Sequence, residues 1–364
     1  MVANMKFPFY AKWSLLTIGF FFLISMLVIA QGIILPLIYA VIIAILISPV
    51  VNFLERKGIN RAIAIGAVLG LALGIIVTLI VLVASQANLL IEAMPVLSKK
   101  LQGMLHQCAL WASDYFNISV KKINIWFEQE KKDFLQNGEF GIGSTLITLG
   151  SVLATVFLTP VYIFMLLFYQ QHILTFIHRL FGAANDKKVD EILAETKFVI
   201  QGYLVGLFSE FVIIAILNSA GLLILGIDYA IILGILGAVL NVIPYVGGLI
   251  GVFLFMIVAL LTKEPIYVLY VLSLYLVIQF VDNNYIVPKI VGSKVQLNAL
   301  ISILAVITGG ALWGIPGMFL SIPLMAIIKL VADRIEPLKP WGFLLGDTST
   351  PLMKMKGKKV SSKA

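Results

Sequence analysis

One carboxylate stands in the middle of an otherwise uncharged apolar run. Glu210 lies near the centre of Phe198–Ile227, with apolar neighbours on both sides. A charge at that depth is costly in hydrocarbon, so the residue should face a bundle interior or a wet cavity. It reads as a proton or cation site, as a hydrogen-bonding site for a substrate, or as a protonated carboxyl bonded to a neighbouring helix. Gly202, Gly206 and Glu210 are spaced by four and share one helical face, and the Gly202–Gly206 pair permits close helix approach. A second polar group, Asp282, Asn283 and Asn284, ends another apolar run just before Pro288. It reads as a polar helix end or as an ion-coordinating corner, and Gln279, one turn earlier, can join it. Asn241 sits beside a chain break, where its amide is expected to bond freed backbone carbonyls or, with Asn218, to join a substrate or ion site. Asn218 and Asn298 are further polar positions. His106, His172 and His178 show no ligand spacing.

The elements that must position these residues are membrane helices. Of the 364 residues, 61% are hydrophobic and 12% charged, against about 45–50% and about 25% in soluble domains. Such a chain could not cover its apolar surface in water. The formal charge of +8 is scattered between apolar runs, which excludes a basic nucleic-acid face. Cys108 is the only cysteine, so neither an intrachain disulfide nor a cysteine metal site is expected. The glycines lack the lysine and strand context of a phosphate-binding loop. No nucleophile–base pair emerges either, so neither an enzyme nor a cofactor is expected.

A spanning helix needs about 20 apolar residues. Trp13–Val51 reads as two spans joined by a tight turn at Gln31-Gly32, with Pro36 close behind. Its length and the immediate second span argue against a cleaved leader. Ala62–Ile91, Phe140–Gln171, Phe198–Ile227, Tyr229–Thr262, Pro265–Val281 and Val295–Ile328 complete the set. The expected fold is therefore all-α and polytopic, with about eight membrane segments. The expected organisation is a three-span region (1–91), an extramembrane helical segment (92–139), a fourth span with a cytoplasmic amphipathic helix (140–195), a core of two span-plus-broken-segment units (196–335) and a basic tail (336–364). In the extramembrane part, Leu97, Leu101, Met104, Leu105, Cys108 and Trp111 form one apolar face. Ile123, Trp126, Phe127 and Phe134 form a weaker second one. Lysines and arginines before the first span, after the second and fourth, and in the tail fall on one side. That side is expected to be the cytoplasm, with both termini on it. The tail reads as a solvated end that can also meet anionic lipid heads.

Tyr229–Thr262 and Val295–Ile328 are too long for simple spans. As straight helices each would measure roughly 50 Å, against a hydrocarbon core of about 30 Å. The first is broken around Asn241, Pro244, Gly247 and Gly248, and the second around Gly309, Gly310, Gly314, Pro316 and Gly317. Proline removes a backbone donor, and adjacent glycines release helical constraint. Paired breaks of this kind point to a transporter binding site. The runs read as re-entrant hairpins or as kinked, tilted spans. As hairpins, they make the two span-plus-hairpin units an inverted repeat, with Lys263 outside and Lys289 and Lys294 cytoplasmic.

The stretches Asn241-Val-Ile-Pro-Tyr-Val-Gly-Gly248, Asp282 to Gly292, Leu297-Asn-Ala-Leu300 and Gly309 to Gly317 carry a recognisable pattern. In their order and spacing the chain resembles the autoinducer-2 exporter family of bacterial inner-membrane proteins. The match is specific from about Gln201 to Asp333, and the N-terminal half agrees in plan. The resemblance implies a multi-span carrier of about eight membrane segments that forms homo-oligomers, with pentamers among its members. It implies export of a small polar solute such as autoinducer-2 or, as in other members, exchange of sodium or lithium for protons. A scaffold or permeability factor is the reading from another class. Gly248 replaces a proline usual in the family, so the resemblance does not carry over the rigidity of that hairpin tip.

Overall fold

The computed structural model describes residues 8–116, 157–243, 246–292 and 297–346. These are helical apart from short connections. Along the chain run α1 (Phe9–Ile29), α2 (Gln31–Arg56), α3 (Arg61–Phe116), α4 (Phe157–Phe168), α5 (Gln170–Phe181), α6 (Asp186–Ile224), α7 (Ala230–Asn241), α8 (Val246–Thr262), α9 (Ile266–Val281), α10 (Ala299–Arg334) and α11 (Lys339–Leu345). Two π-helical turns, Asp282–Ile286 and Pro288–Gly292, prolong α9. Six of these elements are long and apolar enough to cross a membrane, or seven if α4 and α5, bent by 67°, count as one span. The protein is an all-α polytopic membrane protein. The chain forms two compact units.

The first unit holds residues up to 49, 157–200 and 297–346. α1 buries no residue and is apolar all round, as a lipid-facing helix is. α10 is not a straight span. Trp313 (φ −137°, ψ 17°) and Gly314 (φ 63°, ψ −145°) break it. Gly309 then lies so close to Gly317 that a Cβ on either would collide with the carbonyl of the other. Eight residues apart on a straight helix, the two would be separated by roughly 12 Å. The ends confirm the reversal. The Asn298 side chain caps α10 by accepting from Ile301 N at 2.9 Å, and its amide donates to the Leu344 and Gly346 carbonyls at 2.7 and 3.2 Å. A straight helix of 36 residues would carry those groups roughly 50 Å apart. α10 is a helical hairpin that starts and ends at one level. Its tip is held by α1 and α2. Trp313 Nε1 donates to the Leu27 carbonyl at 3.1 Å, Tyr39 donates to the Pro316 carbonyl at 3.4 Å, and the Tyr39 ring stacks on Phe319.

The second unit holds residues 50–116, 201–243 and 246–292. Its core joins Leu222, Ile227, Leu233, Phe255, Ala259 and Val271, so α7 and α8 pack between α6 and α9. Gly237 stands against Gly251 and Gly247 against Leu240. The residue numbers rise on one helix as they fall on the other, which makes α7 and α8 an antiparallel pair. Lys263, just past α8, lies 4.0 Å from Asp228, just before α7. This segment is a hairpin too. Pro244, expected at its tip, lies outside the described residues.

α3 departs from expectation. Its 56 residues run on through Glu92 and Pro95, so the third span and the start of the polar segment are one helix. A single proline removes one donor, and the apolar spacing on both sides keeps its helical period. Beyond the span, Leu97 is buried and Lys100 donates to the Leu261 carbonyl at 3.0 Å. The extension thus rests on the open end of the α7–α8 hairpin. The second amphipathic stretch, Ile123 to Phe134, lies outside the described residues.

Candidate functional site

The site lies in the second unit, at the tip of the α7–α8 hairpin. α6 is continuous through Glu210 and buries the residue to 8% exposure. α7 ends at Asn241, which therefore stands where the chain reverses. α9 passes into its first π turn at Asp282, 2% exposed. A π turn adds a residue to the helical ring, and such turns recur at functional sites. The next stretch returns to α6, where Gly206 admits the Ile290 backbone. A Cβ there would sit 2.7 Å from the Ile290 carbonyl oxygen. The glycine face ending at Glu210 is thus the face that packs on the π segment.

Three polar side chains converge. Asn241 Nδ2 donates to Glu210 Oε1 and to Asp282 Oδ2, each at 3.3 Å. One neutral amide thus bridges two buried carboxylates with its two hydrogens. Asp282 Oδ1 is buried with no hydrogen-bond partner among the described residues. Two ionised carboxylates are too costly to bury on one uncharged bridge, so the pair needs a proton or a bound cation to offset its charge. The amide of Asn241, expected to serve freed backbone carbonyls, serves the carboxylates instead.

Beside the triad lies a cavity with about 10 Å³ of free volume, room for roughly one water. Asn218, Asn241, Tyr275 and Gln279 line it together with Gly237 and Gly248. Gly248 makes this possible, since a Cβ there would stand 2.5 Å from the Tyr275 hydroxyl and 3.4 Å from both Asn241 Oδ1 and Gln279 Oε1. Asn218 is buried. Asn283 is exposed and accepts from Gln279 Nε2 at 3.1 Å, and Asn284 donates to the Phe280 carbonyl. Neither reaches the carboxylate pair. Tyr275 was not among the expected residues. Its signal was present, one turn before Gln279 on the face that leads to Asp282.

The breaks at Gly309, Gly310, Gly314, Pro316 and Gly317 shape the α10 hairpin in the other unit and carry no titratable group. His106 and His172 are exposed. His178 lies between two carboxylates, with Nδ1 3.0 Å from Asp186 and Nε2 3.1 Å from Asp190. No group of three or more histidine, cysteine or acidic side chains suited to a metal occurs among the described residues.

Broken half-helices, a hairpin tip inside the bundle and a buried carboxylate pair define a membrane transporter. The chain belongs to the AI-2E transporter family, whose model matches residues 15–336. It is 27% identical to YueF of Bacillus subtilis (strain 168), over 81% of this chain and 82% of that protein. It is 25% identical to YhhT of Escherichia coli (strain K12), over 87% and 89%. With the AI-2 transport protein TqsA of the same strain it shares 26%, over 87% and 90%.

Proposed function

We propose that the chain is a secondary transporter whose coupling site is the Glu210–Asn241–Asp282 triad, and that the triad takes up a proton or a monovalent cation. The observation that carries this reading is the buried carboxylate pair on a neutral bridge, with one oxygen of Asp282 unpartnered. A proton or an alkali ion supplies the charge that the pair lacks, and release of either gives a cycle. The adjacent cavity has the size of a water or a bare ion, which favours cation/proton exchange over a solute as large as autoinducer-2. Export of a small polar solute is the second reading, and it draws on the printed name of TqsA. A scaffold would have no use for a charge-deficient site inside the bilayer.

The setting we assign is a bacterial cytoplasmic membrane, as a homo-oligomer with both termini in the cytoplasm. The basic stretches after α2 and around the start of α6 support this orientation. So does Arg334, at the end of α10, which pairs with Glu191 at 3.3 Å and with Glu195, both near the start of α6.

The test is flux in proteoliposomes under an imposed pH gradient, with sodium or lithium. Proton movement driven by either cation should fall to background in Glu210→Gln and in Asp282→Asn. Exchange that survives both substitutions removes the triad from the mechanism. Autoinducer-2 efflux that is indifferent to cations and to pH favours the exporter reading.

A further inference from the structure

A second cavity, of about 480 Å³, lies wholly within the first unit and shares no residue with the triad. Drug-sized ligand sites fall at about 300–1,000 Å³. Its walls are the inner half of α2, the end of α4, one face of α5 and the first turns of α6. Most lining side chains are aliphatic, among them Val41, Ile173, Leu174, Ile177 and Leu193. The polar lining is Ser48, Gln170, His178, Asp190, Thr196 and Lys197. Asp190 is engaged by His178, which leaves Lys197 as a cation on the wall.

The position of α5 says what medium the cavity meets. α5 is strongly amphipathic. One apolar face lines the cavity, while Phe176, Leu180 and Phe181 are exposed. A helix with such a face and a polar one lies in the membrane interface. Its last turn holds His178 and Arg179, and Lys187 and Lys188 follow, both exposed. The four carboxylates nearby share two partners, Asp186 and Asp190 on His178, Glu191 and Glu195 on Arg334, so these pairs offset only part of their charge. Arg179, Lys187, Lys188, Lys197 and Arg334 together still outnumber these carboxylates, and a positive excess of this kind is found where anionic lipid heads bind.

We infer that this cavity holds an acyl chain of an anionic phospholipid from the adjoining leaflet, with the headgroup drawn by Lys197 and the basic turn between α5 and α6. The chain would fill the apolar space between α2 and α5 that no described side chain of the unit occupies. It would also hold α5 at its bend from α4.

The test uses the full-length protein in nanodiscs that contain phosphatidylglycerol with a photoreactive group in the acyl chain. Cross-links are mapped by mass spectrometry. They should concentrate on the cavity walls in α2, α5 and the start of α6, above the level on lipid-facing α1. Ala194→Phe and, from the opposite wall, Val41→Phe should abolish the wall cross-links and leave those on α1 unchanged. Two variants on different helices guard against a folding failure in one, and a retained gel-filtration profile shows that each folds. Lys197→Gln should keep the labelling but remove the preference for phosphatidylglycerol over phosphatidylcholine. Wall cross-links no denser than those on α1, or unaffected in both folded phenylalanine variants, would overturn the inference and mark ordinary annular lipid. Unchanged headgroup preference in Lys197→Gln would overturn the role of Lys197.

Discussion

The side-chain amide of Asn298 donates to the carbonyl of Leu344 at 2.7 Å, which fixes the entry of the α10 hairpin to its exit. The same side chain caps the helix through Ile301 N. These roles separate by substitution. Asn298→Asp keeps the acceptor for the cap and loses the donor for the clasp, while Asn298→Ala loses both. Loss of the cap costs about 0.5–2 kcal/mol, and each lost hydrogen bond costs about 0.5–1.5 kcal/mol. Thermal unfolding in detergent should therefore rank wild type above Asn298→Asp and Asn298→Asp above Asn298→Ala. Equal midpoints for wild type and Asn298→Asp would mean that the clasp contributes nothing, and equal midpoints for the two variants that the cap contributes nothing.

The glycines of the second break should not behave alike. A Cβ on Gly309 meets the backbone of Gly317, which cannot move without opening the hairpin. Gly309→Ala should cost about 1–3 kcal/mol, the usual range for overpacking. A Cβ on Gly310 meets the Met318 side chain at 2.6 Å. Methionine is flexible and can turn aside, so Gly310→Ala should be mild. At Gly314 nothing lies within 4 Å, yet φ is +63° with ψ at −145°. That region is essentially confined to glycine, and another residue there costs about 1–3 kcal/mol. The order to check, by thermal unfolding, is that Gly310→Ala is the least harmful of the three.

These breaks were visible in the sequence because glycine and proline act locally. What closes each hairpin was not. Asn298 reaches across 46 residues to Leu344 and Lys263 across the whole hairpin to Asp228, and no periodicity reports such partners. The triad was legible in part. Glu210 stood out as a lone charge in an apolar run, and Asp282 as the end of another. Asn241, beside a break, offered its amide equally well to carbonyls, and only the fold aims it at two carboxylates. Tyr275 lay on the face that leads to Asp282, but only the fold shows that Gly248 lets its hydroxyl approach. That the helix of the third span runs on past Ile91 was not legible, because the loss of apolar residues there marks where a span can end, not where a helix does.

The hairpins set which loops share a side. Asp228 and Lys263 stand together at the open end of α7–α8, and Lys289 lies past the far end of α9. With the basic loops cytoplasmic, Asp228→Cys and Lys263→Cys should react with an impermeant maleimide added outside intact cells. Lys289→Cys should react only after permeabilisation. Labelling of Lys263→Cys and Lys289→Cys from the same side would be incompatible with α9 as a span. The same experiment on a cysteine at Arg334, labelled from the inner side, checks the return of α10.

His178 offers a pH response outside the spans. Its hydrogen bond with Asp186, helped by the charge of Asp190, holds the imidazole pKa above its ordinary value. The protonated ring is the form that both carboxylates bind. The unfolded chain titrates near about 6.5. The clasp therefore gives its full contribution below that value and loses it as pH rises through the higher folded-state pKa. The imidazole is partly buried and its two carboxylates are exposed, so the effect is local and weakened by salt. Amide hydrogen exchange across α5 should quicken as pH is raised through that window, after correction for intrinsic rates. High salt should reduce the change, and His178→Gln should remove it, since glutamine bonds the carboxylates at any pH. A wild-type response as flat as that of His178→Gln would mean that the contact is neutral throughout.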